Sequence, residues 1–132
     1  METVTVRTRQ SNELADVTEA VRRAVVSAGL KDGLVTVFVP HTTAAVTINE
    51  NADPDVVHDI LFTLEELVPR GRGGYRHSEG NSDAHVKASL VGPSVTLIVE
   101  NGQLVLGTWQ GVYLCEFDGP RTRRVLIKVT AA

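Results

Sequence analysis

The chain reads as an α+β protein: a single domain over residues 1–132, with a mixed or antiparallel sheet curled into a barrel-like or sandwich-like form and carrying three helices. Three observations predict this. Strand-like runs outnumber helical ones and do not alternate with them, which disfavours a βαβ parallel sheet. The three helical stretches are unevenly placed along the chain. About eight short strands in so small a domain leave no room for an open, flat sheet.

Thr3–Thr8 is rich in β-branched residues and predicts a first strand. Leu14, Val17, Val21, Ala24, Val25 and Ala28 then recur at helical spacing. Ser11 or Asn12 is the expected cap at its start and Gly29 at its end. The nearly continuous apolar run Leu34–Val39 predicts a strand buried on both faces. Pro40 interrupts it, and Thr43–Ile48 resumes strand character. Asp53-Pro54 opens a second helix with proline at its first position. That helix carries an apolar stripe of Val57, Ile60, Leu61, Leu64 and Leu67. Residues 69–76, Pro-Arg-Gly-Arg-Gly-Gly-Tyr-Arg, resist regular structure and predict a mobile loop, a candidate lid. A short third helix is expected over Ala84–Leu90, capped by Ser82 or Asp83 and ended by Gly92-Pro93. Val95–Val99 and Gln103–Leu106 flank Glu100-Asn101-Gly102, a hairpin signal. Thr108–Phe117 and Arg124–Thr130 are the last two strands, joined through Asp118-Gly119-Pro120.

Composition narrows the function classes. Net charge is -3, and 5% of residues are aromatic, so neither a basic surface nor a set of stacking platforms for nucleic acid is present. No run of about 18 apolar residues suits a membrane span, and the first residues hold no apolar signal segment. The single cysteine, Cys115, excludes an intramolecular disulfide and fits a reducing compartment, so a cytoplasmic location is expected. No histidine or clear cationic neighbour activates it, and a buried, inert thiol is the reading.

The chemistry concentrates in residues 77–85, His-Ser-Glu-Gly-Asn-Ser-Asp-Ala-His, which hold two of the chain's 4 histidines. On one continuous helix His77 and His85 would lie about 12 Å apart along the axis. Gly80-Asn81 breaks such a helix, so His77 falls on a loop and His85 in the first turn of the next helix, where the imidazoles can converge. His41 follows Pro40 at a strand junction, where it can project from the sheet. Taken alone it reads first as a hydrogen-bonded surface histidine at a strand break. With His77 and His85 it forms a candidate three-histidine metal site, and three imidazoles suit zinc. His58, on the flank of the second helix, is expected to face solvent.

Among the carboxylates, Asp53 is explained as a helix cap. Glu50 and Glu79 are not, and both are candidate catalytic groups. Arg121 and Arg123 fall on one face of their strand and Arg124 on the other, so the first two could fork a phosphate. A charged edge strand explains them equally well. Trp109 is expected in the core, with Gln110 pointing oppositely toward the site.

Pro40-His41-Thr42-Thr43, Glu50-Asn51, His77-x-Glu79-Gly80-Asn81 followed by His85, Leu106-Gly-Thr-Trp-Gln110 and Asp118-Gly-Pro-Arg121-x-Arg123 together resemble the YjbQ family, also called the secondary thiamine-phosphate synthase family. The resemblance spans nearly the whole chain. It implies a barrel-like α+β domain, a homotrimer with sites at subunit clefts, and a site built on the three histidines. Thr42, Asn51, Asn81, Gln110, Arg121 and Arg123 are the expected substrate contacts around it. It also implies a minor activity joining a pyrimidine diphosphate to a thiazole phosphate with loss of pyrophosphate. The 70–76 loop is richer in glycine and arginine than the family pattern. Because three histidines suit zinc better than magnesium, two alternatives stand beside the synthase. One is a metal-assisted hydrolase or lyase acting on a small phosphorylated metabolite. The other is a non-catalytic module that binds small anions.

Overall fold

In a computed structural model describing residues 1–132, eight strands form two antiparallel sheets. The strands are β1 (Glu2–Arg7), β2 (Glu13–Asp16), β3 (Gly33–Phe38), β4 (Ala44–Glu50), β5 (Ser94–Glu100), β6 (Gln103–Leu104), β7 (Gln110–Glu116) and β8 (Thr122–Ala131). The larger sheet runs β1-β8-β3-β5-β6 and the smaller β2-β7-β4. The helices are α1 (Thr18–Ala28), α2 (Pro54–Leu67) and α3 (Ser82–Val91). The expected α+β class with a curled antiparallel sheet is what forms.

The inner faces of the two sheets and α1 enclose the main core, in which Val21, Val35, Val37, Val46, Leu114 and Ile127 are all but sealed from solvent. At about 25 cal/mol per Å² of apolar surface removed from water, such aliphatic packing is the main favourable contribution to the fold. A smaller cluster of Ala45, Ala84, Ala88, Cys115 and Phe117 seats α3 against the other face of the small sheet. Burial pushes the Cys115 thiol up to about 12. The folded protein should therefore react with thiol reagents at neutral pH only at the rate of unfolding, which a colorimetric thiol assay with and without denaturant measures. Rapid labelling of the native protein would contradict this burial.

Three departures from the sequence reading have clear causes. The first helix starts at Thr18, because Glu13–Asp16 pairs with β7, Leu14 opposite Cys115. The cap is therefore neither Ser11 nor Asn12; the Asp16 carboxylate accepts from the Thr18 N–H at 2.9 Å. Gly29 does close the helix, with φ 67. Second, β3 is not buried on both faces. Val35 and Val37 point into the core, while Leu34, opposite Ile98 of β5, and Phe38, opposite Ser94, stay exposed on the outer face. A continuous apolar run hides this alternation, since both faces of the strand carry apolar residues. Third, the stripe on α2 is only half covered: Val57, Ile60, Leu61 and Leu64 are half-buried, Leu64 against the Ala45–Phe117 cluster, while Leu67 is exposed and no residue of that helix is fully buried, although Asp53 caps it as expected.

Pro40 and His41 mark the point where the chain leaves the large sheet at the end of β3 and enters the small one at β4. Proline, lacking a backbone donor, ends the β3 ladder there. The hairpin between β5 and β6 turns on Asn101 and Gly102, with φ 53 and 74. These two left-handed residues match the right-handed twist of the flanking strands. Trp109 falls just before β7 begins and is 62% exposed, so it is not a core residue.

Candidate functional site

The β3–β4 link, the loop entering α3, and the β7–β8 turn meet around a polar cavity of ≈ 420 Å³. None of its 11 lining residues is hydrophobic. His41 and Thr42 come from the link; His77, Glu79, Asn81 and His85 come from the loop and first turn of α3; Arg121 and Arg123 come from the start of β8. Of the residues singled out from sequence, these eight share one wall.

His77 lies on the loop and His85 in the first turn, as expected. Their rings stand edge to face with centroids 5.4 Å apart. Helix α3 starts at Ser82, with Asn81 in the cap position, so neither Ser82 nor Asp83 serves as cap. The His77 Nε2 is 3.8 Å from a Glu79 oxygen. His41 is more constrained. Its Nε2 accepts the backbone N–H of Arg124 at 2.9 Å, which leaves the proton of the neutral ring on Nδ1. Burial first, then the charges of Arg123 and Arg124, lower its pKa from the ordinary 6.5, with Glu116 pulling weakly the other way.

The two arginines differ in kind. Arg123 is buried, and its Nε and Nη2 grip the fully buried Glu116 carboxylate, with Nη2 also donating to the Thr43 hydroxyl at 2.8 Å. Thr8 donates its hydroxyl to the same carboxylate at 2.7 Å. This is a structural clasp between the two sheets, and only Nη1 remains without a partner in the chain. Arg121 is half-exposed and reaches back to Asp118, with Nη2 at 2.8 Å from Oδ2. The forked pair expected on one face is therefore one accessible arginine and one anchoring arginine.

Glu50, Asn51 and Gln110 lie elsewhere. They gather at the far end of β4 and β7, about 20 Å along β4 from the cavity. There Asn51 donates to Asp16 at 3.3 Å, Gln110 accepts from the Gly107 N–H at 2.9 Å, and the Tyr113 hydroxyl donates to the Glu50 carbonyl at 3.1 Å. Within one chain they do not reach the histidines.

Sequence reasoning missed Glu116, Asp118 and Lys87. A glutamate inside the apolar run Val112–Phe117 is the signal for the first. Asp118 was absorbed into a turn. Lys87 is almost fully buried on α3, with its ammonium 2.6 Å from Glu65 of α2.

A metal on all three histidines fits poorly. No group of three or more His, Cys, Asp or Glu side chains stands close enough to hold one ion. The one lone pair of neutral His41 is already taken by Arg124. His77 and His85 are the pair whose spacing suits a shared ligand.

The fold defines a small α+β protein with an open cavity lined by histidine, arginine, carboxylate and amide side chains. The chain belongs to the YjbQ-like UPF0047 family, whose model matches residues 2–132. It is similar to UPF0047 protein YugU of Bacillus subtilis, 49% identical over 129 residues, spanning 98% of each chain. UPF0047 protein MJ1081 of Methanocaldococcus jannaschii is 49% identical over 124 residues, covering 94% of this chain and 89% of that one. Among solved structures, a YjbQ/UPF0047 family protein of Clostridium acetobutylicum superposes with TM-score 0.96 at 52% identity, covering 98% of this chain and all of that one. A YbjQ-like protein of Sulfolobus solfataricus gives TM-score 0.95 at 34% identity, covering 99% of this chain and 96% of that one. The family name specifies no reaction. No helix is long and apolar enough to cross a membrane.

Proposed function

We propose that this cavity binds a small phosphorylated metabolite and that the protein is a thiamine-phosphate synthase-like transferase of the cytoplasm. The observation that carries the reading is a cavity of ligand size lined by three histidines and two arginines. Arg121, the free Nη1 of Arg123, and the Nδ1–H of neutral His41 are donors suited to phosphate oxygens. Loss of pyrophosphate needs such donors where charge accumulates on the leaving group. Replacing Arg121 with alanine should weaken phosphate-ligand binding by about 1.5–3 kcal/mol in a calorimetric titration. An unchanged affinity would return Arg121 to the role of a surface charge. The reaction itself is tested by following pyrophosphate release from a pyrimidine diphosphate plus a thiazole phosphate.

A second reading draws on the internal pairing of both arginines, which leaves little uncompensated positive charge for a diphosphate. That balance suits a hydrolase or lyase acting on a monophosphate, or a non-catalytic module for small anions. Tight anion binding without turnover across a phosphometabolite panel would select the module. Zinc enters either reading through His77 and His85 as the central ligand pair, and His41 could join only by releasing Arg124. Metal content of untagged protein, compared between wild type and His77→Ala, tests that assignment without reference to turnover.

The assembly proposed is a closed homotrimer. Its support is large apolar side chains left exposed in the single chain: Phe62 and Leu67 on α2, the latter 68% exposed, and Phe38 and Ile98 on the outer sheet face. In such an assembly the Glu50, Asn51 and Gln110 cluster of one copy, beside exposed Trp109, would complete the cavity of the next. Light scattering should then exceed the 14.2 kDa monomer mass about threefold at micromolar concentration. A monomer mass would overturn the trimer. Mixed His41→Ala and Glu50→Gln proteins should partly restore whatever activity each lacks alone, if the site is shared.

A further inference from the structure

We propose that a second, smaller pocket adjoining the cavity binds a primary ammonium group. This goes beyond the phosphate reading and stands without it. The pocket, ≈ 90 Å³, shares Asn81 and Asp118 with the large cavity and is otherwise walled by groups such as Ser11, Asn12, Glu65 and Asp83.

The primary observation is Asn81. Its residue is 8% exposed, and its Oδ1 is the one buried side-chain polar atom in the protein without a hydrogen-bond partner. The amide cannot be turned round to cure this. Its other end must present the NH₂, because it donates to the Asp118 carboxylate at 2.8 Å. A buried carbonyl oxygen with no hydrogen bond is costly to the fold, so an unpaired acceptor here calls for a donor.

Two neighbouring carboxylates add acceptors that no protein donor fills, although neither is a buried orphan as Asn81 is. Asp118 uses Oδ2 for both Asn81 and Arg121 and leaves Oδ1 free. Asp83, 5% exposed, makes no side-chain hydrogen bond, and its closest cation is the Lys87 ammonium at 3.8 Å. Three acceptors without donors match the three N–H groups of an alkylammonium.

The pairing of the charges points to the same occupant. Glu65 is held by Lys87 at 2.6 Å and Asp118 by Arg121 at 2.8 Å. Asp83 is the carboxylate with no hydrogen-bonded cation, and Arg70, which also lines the pocket, makes no side-chain ion pair with it, so Asp83 is the group an ammonium would pair with. The acidic groups are not arranged to hold a metal ion.

The test uses the wild-type protein and methylammonium chloride as the probe, with tetramethylammonium chloride at equal ionic strength as the cation lacking N–H groups. Amide resonances of Asn81, Asp83 and Gly119 should shift saturably with the first and not with the second. Asp83→Asn, which keeps the shape and removes the charge, should weaken the methylammonium response about tenfold or more. Equal responses to both cations, no response to either, or a stronger saturable response to magnesium chloride would each overturn the assignment. If Asp83→Asn does not fold, the comparison of the two cations in wild type still decides.

Discussion

Replacing Arg123 with alanine is expected to destabilise the protein by about 3–5 kcal/mol, the largest loss of any single substitution in the site. Glu116 has no solvent contact, and four of the five hydrogen bonds its carboxylate accepts come from this one guanidinium and the Thr8 hydroxyl. Without Arg123 the carboxylate is left charged and nearly dry between two sheets. Chemical denaturation should show the loss directly, with a fall in melting temperature of roughly 10–20 °C. The pair as such contributes far less than its removal suggests, because both ions are desolvated to form it. The double variant Glu116→Leu with Arg123→Met should therefore recover much of what Arg123→Ala loses. A single-variant loss below about 1 kcal/mol would show the clasp to be solvated and unimportant. The same reasoning explains why Arg123 is a poor probe of ligand binding: its variant would report unfolding first.

The site was legible where chemistry coincides with a break in local structure. His41 follows Pro40, His77 precedes Gly80, and His85 opens a helix; each break can be read within a few residues, and all three side chains line the same cavity. What stayed hidden depends on pairing across long separations. Arg123 and Glu116 are only seven positions apart, yet their partnership requires knowing that β7 and β8 belong to different sheets facing each other. Lys87 looks like an ordinary exposed helical lysine until α2 delivers Glu65 to it. Leu14 fits the helical period of α1 by coincidence, and only its pairing with Cys115 reveals a strand. The apolar residues Leu34, Phe38 and Ile98 promised burial that the single chain does not provide, because hydrophobicity specifies that a face wants cover without specifying whose. Glu50, Asn51 and Gln110 were grouped with the histidines by motif alone, and β4 carries them to its opposite end.

His41→Ala should reduce turnover by about 10²–10⁴-fold once a substrate is in hand, with anion binding changed far less. The imidazole is held by Arg124 in one tautomer, so its Nδ1–H is a neutral donor whose position does not depend on the ligand. Its protonation is opposed by burial and by Arg123 and Arg124, which sets the pH dependence. Because the folded state takes up this proton less readily than the unfolded chain, the contribution of neutral His41 to stability is complete above pH 6.5 and declines as pH falls from there through the lower folded value. The acid limb of kcat should accordingly lie below pH 6.5, at the midpoint that a histidine NMR titration reports for this ring. His41→Gln separates two roles. Its amide oxygen can still accept from the Arg124 N–H in place of Nε2, but it carries no titrating proton. If His41 only positions β8, the glutamine variant should keep both the rate and the acid limb. If the proton is used, the rate falls as in His41→Ala and the limb disappears, and a wild-type limb above pH 6.5 would show that it does not belong to His41.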